Sequence, residues 1–533
     1  MTTKLLLGDE ALAQGALDAG LSGAYAYPGT PSTEITEYVQ RRVHAEGLGV
    51  HCRWSTNEKV ALEEAIGMSY AGKRAMVSMK HVGLNVAADP FVNAAIAGAN
   101  GGLLISVADD PSMHSSQNEQ DSRLYTDLAL VPCVEPSNQQ EAYDAPAYAF
   151  ELSERLSIPV LIRLTTRLAH SRSVVNLGKT LDKNKLAPPA DRRQYILLPA
   201  NARGSYLDLI ACQPQLLAES EASLFNRYED SPDKTRGIIA SGIAYNYVQE
   251  VYDGACSHPL LKISQYPLPI SLVRRLFNEC DEVILFEEGY PFIEGKLRGL
   301  LGDREDAIHG RLDGTVPRTG ELNPGIVAEA LGLSQRDVLP QSDILVGRPP
   351  ALCPGCPHAD TYRALNAVMK RYPQGRVFSD IGCYTLGALP PHEAIDTCIE
   401  MGASITMAKG ASDAGLTPAV AVIGDSTFTH SGMTGLLDCV SEDAPVTIII
   451  LDNLTVAMTG GQESNATNRL AAICRGLGVS ENHIKTIVPL PKNHDENVAV
   501  IAEEVGYQGM SVIIAVRECV QTLRRHARRG GEK

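Results

Sequence analysis

The sequence predicts an α/β protein built from three doubly wound domains with parallel sheets. A chain of 533 residues is too long for a single hydrophobic core. Short apolar runs alternate with helical stretches almost from end to end, as in parallel α/β sheets, and two polar segments interrupt this alternation. We therefore place domains at 1–177, 236–343 and 344–533, with a crossover linker at 178–235.

The predicted elements follow from local patterns. Apolar, β-rich runs predict strands at Ala24–Tyr27, Ala75–Met79, Leu103–Val107, Pro159–Leu164, Gly237–Ala240, Leu260–Ile263, Glu282–Phe286, Val377–Asp380, Ala419–Ile423, Val446–Leu451 and Ser511–Val516. Helical stretches in the first domain are predicted at Glu34–Ala45, Glu58–Ala71 and Gln140–Leu156. The polar, proline-bearing stretch Ala187–Arg193 belongs to the crossover linker, which also contains some helix, and Val346–Pro350 predicts a second linker.

Composition and charge exclude several classes of protein. No apolar run reaches the roughly 18 residues of a membrane span, and Met1–Leu7 lacks the pattern of a secretory signal. The net charge of −16 argues against nucleic-acid binding. We therefore expect a cytoplasmic protein without membrane insertion. Its 12 cysteines do not suggest a disulfide framework, and only Cys353 and Cys356 form a tight pair, a candidate metal or redox site.

Polar residues follow two predicted strands of the last domain. Gly424-Asp425-Ser426 follows the strand Ala419–Ile423, and Asn453 ends the next strand, 27 residues after Ser426. The carboxyl ends of such strands bind ligands in open α/β sheets. The Asp425 carboxylate, the Asn453 amide oxygen and the Thr455 carbonyl are hard oxygen ligands that suit Mg²⁺ bridged to a diphosphate, which Gly424 would allow to approach. An ordinary Gly-Asp turn is the alternative.

This pattern resembles the Gly-Asp-(Gly/Ser)…Asn motif of thiamine-diphosphate enzymes, which have transketolase-like domains. A second feature of the same enzymes is the x-Glu-x-x-Ala signature, matched here by Asn57-Glu58-Lys59-Val60-Ala61. The resemblance implies that Glu58 hydrogen-bonds the aminopyrimidine ring and so promotes proton loss from thiazolium C2. Taken alone, Glu58 could simply be a first-turn glutamate that favours the helix dipole.

Further motifs narrow the resemblance. Tyr27-Pro28-Gly29-Thr30-Pro31-Ser32 resembles a loop of 2-oxoacid:ferredoxin oxidoreductases, which implies that Thr30 faces the oxo acid. His81, after the strand Ala75–Met79, could polarise the substrate or shuttle protons. A plain proline-glycine turn is the alternative for the Thr30 motif.

From Leu6 to Cys519 the chain resembles the large, thiamine-binding subunits of indolepyruvate:ferredoxin oxidoreductases. The strongest stretches are Asn57–Arg123, Cys353–His358, Asp380–Gly402 and Val422–Gly461. The resemblance implies oxidative decarboxylation of a 2-oxo acid to the acyl-CoA, with an aryl substrate such as indolepyruvate or phenylglyoxylate. It also implies a small catalytic subunit and an electron-carrying partner, a ferredoxin or an Fe–S or flavin subunit. Such large subunits usually carry a C-terminal ferredoxin-like domain, which is expected to be absent here.

Four cysteines complete the expectations. Related catalytic domains bind a [4Fe–4S] cluster through a Cys-x-x-Cys pair, a later cysteine and a last cysteine after the final strand. The resemblance assigns these positions to Cys353, Cys356, Cys383 and Cys519. Thiolates suit Fe–S or zinc, and a one-electron acceptor beside thiamine favours Fe–S. An empty quartet remains an alternative, as do a non-oxidative thiamine decarboxylase and a catalytically silent subunit with structural zinc.

Overall fold

The structure is a computed structural model that describes residues 2–191, 193–300, 306–334, 342–347, 350–462 and 464–530. The chain divides into two compact units, Met1–Leu339 and Pro340–Lys533. Two large sheets lie in the first unit and a third lies in the second.

The first large sheet has seven strands. In order across the sheet they are β12 (Gln265–Tyr266), β6 (Cys133–Val134), β7 (Val160–Thr165), β5 (Leu103–Asp109), β4 (Ala75–Lys80), β2 (Gly23–Ala26) and β3 (His51–Trp54). All neighbours run parallel except β12, which is antiparallel to β6. Strands β5 and β7 are buried along their whole length, as expected where helices cover both faces of a parallel sheet.

The first unit also contains a smaller mixed sheet and a two-stranded ribbon. The five strands of the mixed sheet are, in order, β14 (Ile308–His309), β13 (Glu282–Phe286), β10 (Arg236–Ser241), β11 (Leu260–Ile263) and β9 (Arg227–Glu229). Only β9 is antiparallel to its neighbour. The ribbon pairs β1 (Thr2–Leu7) with β8 (Arg172–Leu177).

Helices of the first unit connect and cover these strands. They are α1 (Gly8–Asp18), α2 (Thr33–Glu46), α3 (Glu58–Tyr70), α4 (His81–Val86), α5 (Ala88–Ala97), α6 (Arg123–Ala129), α7 (Gln139–Leu156), α8 (Thr166–His170), α9 (Pro199–Glu221), α10 (Ala244–Val251), α11 (Ile270–Glu279), α12 (Phe292–Leu300) and α13 (Pro324–Ala330).

The second unit is built on one parallel sheet. Its described strands are, in order, β16 (Thr397–Cys398), β15 (Arg376–Ser379), β17 (Ala419–Gly424), β18 (Val446–Asp452), β20 (Ser511–Val516) and β19 (Ile484–Ile487). Alternate residues of β18 enter opposite cores: Ile448 and Ile450 join one hydrophobic cluster, while Ile449 and Leu451 join another. Burial on both faces explains why these strands read as continuous apolar runs.

The helices of the second unit lie on both faces of its sheet. They are α14 (Pro357–Met369), α15 (Ala403–Asp413), α16 (Asp425–Thr427), α17 (Met433–Ser441), α18 (Leu470–Gly476), α19 (His494–Gly506) and α20 (Val520–Gly530). A π-helical turn, Phe428–Gly432, joins α16 to α17.

The predicted α/β class is confirmed, since every strand predicted from the sequence lies within two residues of an observed strand. The crossover linker contains an extended stretch followed by the 23-residue helix α9. Arg192 of that linker, and Arg348 and Pro349 of the second linker, lie outside the described residues.

The predicted boundary between the first two domains stays a prediction. Strand β12 comes from the segment predicted as the second domain, yet it pairs with β6 of the first sheet. Arg123 likewise donates to the Glu288 carbonyl and to the Tyr266 hydroxyl, at 3.0 and 3.1 Å. Main-chain pairing and side-chain hydrogen bonds therefore join the segments of the two predicted domains. None of the described helices is long and apolar enough to cross a bilayer.

Candidate functional site

Two strand ends of the second unit bring the predicted Mg²⁺ ligands to one edge of the sheet. Strands β17 and β18 are parallel neighbours in which Gly424 pairs with Leu451. Asp425 directly follows β17, and Asn453 directly follows β18. The register therefore places both side chains at the carboxyl edge, where open α/β sheets bind their ligands.

Asp425 combines deep burial with a carboxylate oxygen that could still bind a cation. It is 3% exposed, and its Oδ2 has no hydrogen-bond partner among the described residues. Burial, and then the nearby charge of Asp452, raise its pKa to about 7, although a hydrogen bond with the Ser464 side chain opposes the shift. A buried carboxylate with one oxygen left without a partner is costly, and a divalent ion would reduce that cost. The Ser426 hydroxyl also lacks a partner in this part of the chain.

Asn453 is held from three sides. Its Oδ1 accepts from the Thr455 amide at 3.2 Å, and its Nδ2 lies 3.3 Å from Nε2 of His358. Its main-chain carbonyl accepts from the Cys519 amide at 3.1 Å. Burial lowers the pKa of His358 to about 4, so its neutral ring accepts the amide proton. Thr455 is itself buried, and its hydroxyl donates to the Gln462 carbonyl at 3.1 Å.

A side chain at position 424 would collide with the ring of Tyr384, so glycine is required there even apart from the predicted approach of a diphosphate. A Cβ at Gly424 would lie 2.7 Å from Cε1 of Tyr384. The Tyr384 hydroxyl donates to Asp380, which also accepts from Ser404 at 2.5 Å. Burial raises the pKa of Asp380 to about 7. This buried cluster of Tyr384, Asp380 and Ser404 therefore packs against the Gly424 turn and stabilises it.

The four predicted cysteine ligands are brought together in the second unit. Burial, and then the neighbouring thiols of Cys356, Cys519 and Cys353, raise the pKa of the Cys383 thiol to about 12. The Cys356 amide donates to the Cys353 carbonyl at 2.9 Å in a tight turn, and Gln521 Nε2 lies 3.2 Å from Cys353 Sγ. Thiols with raised pKa values stay protonated unless a metal stabilises the thiolate.

Glu58 begins α3 in the first unit. The Asn57 side chain caps this helix by accepting from the Val60 amide at 2.9 Å. Glu58 is 5% exposed, and a Cβ at Gly83 would lie 2.7 Å from its Oε1. Gly83 is thus needed to make room for this carboxylate.

The Thr30 loop is fastened to a second polar loop. The Ser115 hydroxyl donates to the Thr30 carbonyl at 3.2 Å, and the Ser115 amide donates to Asp110 Oδ2 at 2.8 Å. The Lys80 side chain passes beside Gly29, where a Cβ would lie 3.1 Å from its Cδ. Burial lowers the pKa of Lys80, opposed by the charges of Asp110 and Glu58. An ammonium group therefore lies close to both Glu58 and the Thr30 loop.

His81 is almost fully buried at the start of α4. Its Nε2 lies 3.2 Å from the Asn118 carbonyl, which can only accept, so Nε2 bears the proton. Its Nδ1 has no partner among the described residues and is left as an acceptor. His81 can thus take a proton, as a shuttling residue must.

Sequence reasoning did not single out Lys80, His358 or Asp380. All three lie at or near the carboxyl end of a strand or the start of a helix, which is a detectable signal. Their contacts, however, join segments distant in the chain and could not be read from spacing.

Two family models match the chain. Residues 380–531 match the thiamine pyrophosphate enzyme, C-terminal TPP binding domain. Residues 14–203 match the pyruvate flavodoxin/ferredoxin oxidoreductase, thiamine diphosphate-binding family.

Full-length relatives are similar as well. The indolepyruvate oxidoreductase subunit IorA of Archaeoglobus fulgidus is 39% identical over 562 residues, covering 99% of this chain and 88% of that protein. The subunit of the same name from Pyrococcus abyssi is 37% identical, with coverage of 99% and 87%. In structure, the fold is similar to a 2-oxoglutarate:ferredoxin oxidoreductase from Magnetococcus marinus with 2-oxoglutarate, coenzyme A and succinyl-CoA bound (TM-score 0.50, 16% identity, 62% of this chain and 65% of that chain).

Proposed function

The chain belongs to the family of indolepyruvate oxidoreductase IorA subunits, and we propose that it oxidatively decarboxylates an aryl 2-oxo acid to the acyl-CoA. Membership makes it a thiamine-binding catalytic subunit of a 2-oxoacid oxidoreductase, which confirms the predicted family and enzyme class. Indolepyruvate and phenylglyoxylate are the proposed substrate types, the first because the relatives are named indolepyruvate oxidoreductase subunits and both because of the sequence resemblance.

The proposed reaction balances with CoA and a one-electron carrier. The bond between C1 and C2 of the oxo acid breaks, C1 leaves as CO₂, and the acyl carbon joins the CoA sulfur, whose proton is released. Two electrons would be taken up by two oxidised one-electron carriers, such as ferredoxin, and a [4Fe–4S] cluster held by Cys353, Cys356, Cys383 and Cys519 would supply one-electron transfer.

Residues of the second unit would hold the diphosphate end of the cofactor. Thiamine diphosphate, when bound, supplies the thiazolium carbon that attacks the 2-oxo group. Asp425 and Asn453, with the Thr455 carbonyl, would ligate Mg²⁺ through oxygen. Gly424 and Ser426 would contact the diphosphate. The partnerless Oδ2 of buried Asp425 supports this assignment.

Residues of the first unit would handle protons and substrate. Glu58 would hold the aminopyrimidine ring, since its carboxylate is buried at the start of α3. The Thr30 hydroxyl and the Lys80 ammonium would bind the carboxylate of the oxo acid, a task that suits a hydroxyl beside a cation. His81 Nδ1 would accept and return a proton.

The observation that carries the oxidative proposal is the direct link between the Mg²⁺ ligands and the cysteine quartet. Asn453 contacts His358, two residues after Cys356, and accepts from the amide of Cys519. An electron acceptor held by this quartet would therefore lie next to the thiamine half-site.

The proposed chemistry favours a cluster over a single zinc ion. Zinc has no redox chemistry, whereas an Fe–S cluster accepts electrons one at a time. An oxidation that delivers its electrons to a one-electron carrier therefore calls for a cluster beside the thiamine.

We further propose that the chain works with two kinds of partner. Its relatives are named as subunits, which implies partner chains. A small catalytic subunit would complete the enzyme, and a ferredoxin or an Fe–S or flavin subunit would take the electrons.

An anaerobic substrate screen tests the function. The chain, purified with its catalytic partner, is supplied with CoA, a viologen dye and one of indolepyruvate, phenylpyruvate, phenylglyoxylate, pyruvate or 2-oxoglutarate. We expect dye reduction and acyl-CoA in a ratio of about two electrons per acyl group, with an aryl acid preferred. The Asp425→Asn complex is the matched control and should be inactive. Aldehyde formation without dye reduction would instead identify the non-oxidative decarboxylase.

A further inference from the structure

A second group of metal-ligand side chains lies in the first unit, where α1, α2 and α8 meet. Asp9 is in the first turn of α1, Glu34 is in the first turn of α2, and His170 is the last residue of α8. One ligand atom from each lies within 4.8 Å of the others.

No contact among the described residues explains why the Asp9 carboxyl group is buried. It is 0% exposed, and neither carboxylate oxygen has a hydrogen-bond partner among the described residues. Burial, followed by the charges of Glu34 and Glu10, raises its pKa well above the ordinary value. A buried carboxylate normally has hydrogen bonds, an ion pair or a metal, so Asp9 requires a proton or a cation.

The surrounding charges do not supply that cation. Glu10 pairs with Arg41 at 2.8 Å and also accepts from the Leu7 amide at 3.1 Å. His170 Nε2 lies 3.5 Å from Glu34 Oε2, so the imidazole and both carboxyl groups face one another.

A close backbone contact between α1 and α8 brings the side chains of Asp9 and His170 together. A Cβ at Gly8 would lie 2.2 Å from the Leu168 carbonyl oxygen, so α1 begins in direct contact with α8. Gly8 therefore allows the close approach that brings Asp9 beside His170.

We propose that Asp9, Glu34 and His170 bind a divalent transition-metal ion, with Zn²⁺ as the best match to one imidazole and two carboxylates. Bonds of about 2.0–2.2 Å place such ligands roughly 3–3.5 Å apart. The side chains of Glu34 and His170 are 34% and 35% exposed, and a small rotation of either would bring its ligand atom inwards over the buried Asp9. The same exposure gives the ion a route from solvent and leaves room for water ligands.

The bound ion would brace the Thr30 loop. Glu34 lies four residues after Thr30, and the loop is tied to the start of α2 because the Gly29 amide donates to the Thr33 hydroxyl at 3.1 Å. Joining α1, α2 and α8 through one ion would fix the helix on which that loop ends.

Cobalt substitution tests the site. Chelator-treated protein, saturated with Mg²⁺ and thiamine diphosphate, is titrated with Co²⁺ while its visible absorption is recorded. We expect one equivalent to bind with ligand-field bands and without thiolate charge-transfer absorption. Asp9→Asn and, separately, His170→Ala should weaken binding by at least tenfold, whereas Asp425→Asn, which alters the other proposed metal site, should bind this equivalent as the parent does.

Three results would overturn the proposal. The parent could bind no Co²⁺, it could bind only with thiolate absorption, or Asp9→Asn could bind as tightly as the parent. In the first case, a rise in melting temperature in Asp9→Asn would show that Asp9 and Glu34 share a proton instead. Because His170 is partly exposed, His170→Ala keeps the test decisive if Asp9→Asn does not fold.

Discussion

At the scale of single residues, Asp425 unites deep burial with an oxygen that lacks a partner among the described residues. Asp425→Asn should weaken Mg²⁺-dependent binding of thiamine diphosphate by roughly 100-fold or more, because even changes beyond the ligands cost 10–100-fold. Isothermal titration with the cofactor and Mg²⁺ measures this loss. Asp438→Asn, an exposed aspartate on α17, is the control and should bind normally. Unchanged affinity in Asp425→Asn would remove it from the metal site.

The role of Glu58 can be tested through loss of the thiazolium C2 proton, the first chemical step assigned to it. Glu58→Gln should retain the cofactor but slow the exchange of the thiazolium C2 proton by about 10²–10⁴, the usual contribution of a positioned acid–base group. Quenched-flow exchange followed by NMR measures the rate. Glu63→Gln, on the same helix but exposed and paired with Lys59, should exchange at the parent rate. Equal rates in Glu58→Gln and the parent would assign the role elsewhere.

His358 fixes the orientation of the Asn453 amide because its neutral ring accepts from Nδ2. His358→Ala should therefore weaken Mg²⁺-dependent cofactor binding by about tenfold. His358→Gln, which offers an acceptor oxygen, should restore part of the affinity. Titrations of both variants at saturating Mg²⁺ distinguish this role. If His358→Ala weakened binding only by destabilising the fold, His358→Gln would not restore the affinity, and the orienting role of His358 would be contradicted.

At the scale of elements, the residues of the site lie at the ends of strands. Strand β15 ends directly before Asp380, whose carboxyl group is buried. Burial raises the pKa of Asp380 to about 7, so the folded state holds its proton through a range in which the unfolded chain, near 3.8, has lost it. The stability that this proton contributes is fully present below about pH 4 and is lost as pH rises through 7.

Asp380→Asn should remove this dependence. Relative to the parent, the free energy of unfolding of the variant should rise between pH 5 and pH 8 by about 1–4 kcal/mol, at 1.36 kcal/mol for each pKa unit. Urea unfolding of the metal-free protein at both pH values measures the difference. Ser412→Ala, another buried polar change in the same unit, should leave the pH dependence unchanged. A constant difference between Asp380→Asn and the parent would contradict the raised pKa.

The elements that the sequence predicted are those buried on both faces. β17 and β18 read as unbroken apolar runs because helices cover both sides, and their ends located Asp425 and Asn453 by topology alone. The missed ribbon of β1 and β8 lies at the surface, where Leu5 is 62% exposed and paired with Val174. Strands β6 and β12 have two residues each, too few for a period. The contact between His358 and Asn453 spans 95 positions and had no local signal.

At the scale of the whole molecule, buried charge decides how the first unit is organised. Arg163 bonds Asp109 at 2.6 Å and also donates to the Glu288 carbonyl at 3.1 Å, and all of these groups are buried. Breaking a buried pair leaves an uncompensated charge, which is strongly destabilising. Arg123 in addition pairs with Glu287, which directly follows β13, at 3.1 Å. The two sheets of this unit are thus held together by ionic contacts and hydrogen bonds that no alternation of apolar and helical segments reveals.

The electron path depends on the second unit, where the quartet gives the last prediction. Anaerobically purified protein should carry about four irons per chain, because the proposed cluster is a [4Fe–4S] cube. Cys356→Ser and Cys383→Ser should each lose the iron but keep Mg²⁺-dependent cofactor binding and C2 proton exchange, since Glu58 and Asp425 are unchanged. Iron analysis, titration with cofactor and exchange by NMR give these three readings.

Cys439→Ser is the matched control for this prediction. Cys439 is fully buried and belongs to the hydrophobic cluster of β17 and β18, so its variant should keep the iron. With the cluster gone, electrons have no one-electron acceptor beside the thiamine, and reduction of a ferredoxin should fall with the iron content. Two results would contradict the path: iron-free protein that oxidises its substrate at the full rate, or quartet variants that retain four irons. One zinc per chain in place of iron would make the quartet a structural site and send the electrons directly to a partner.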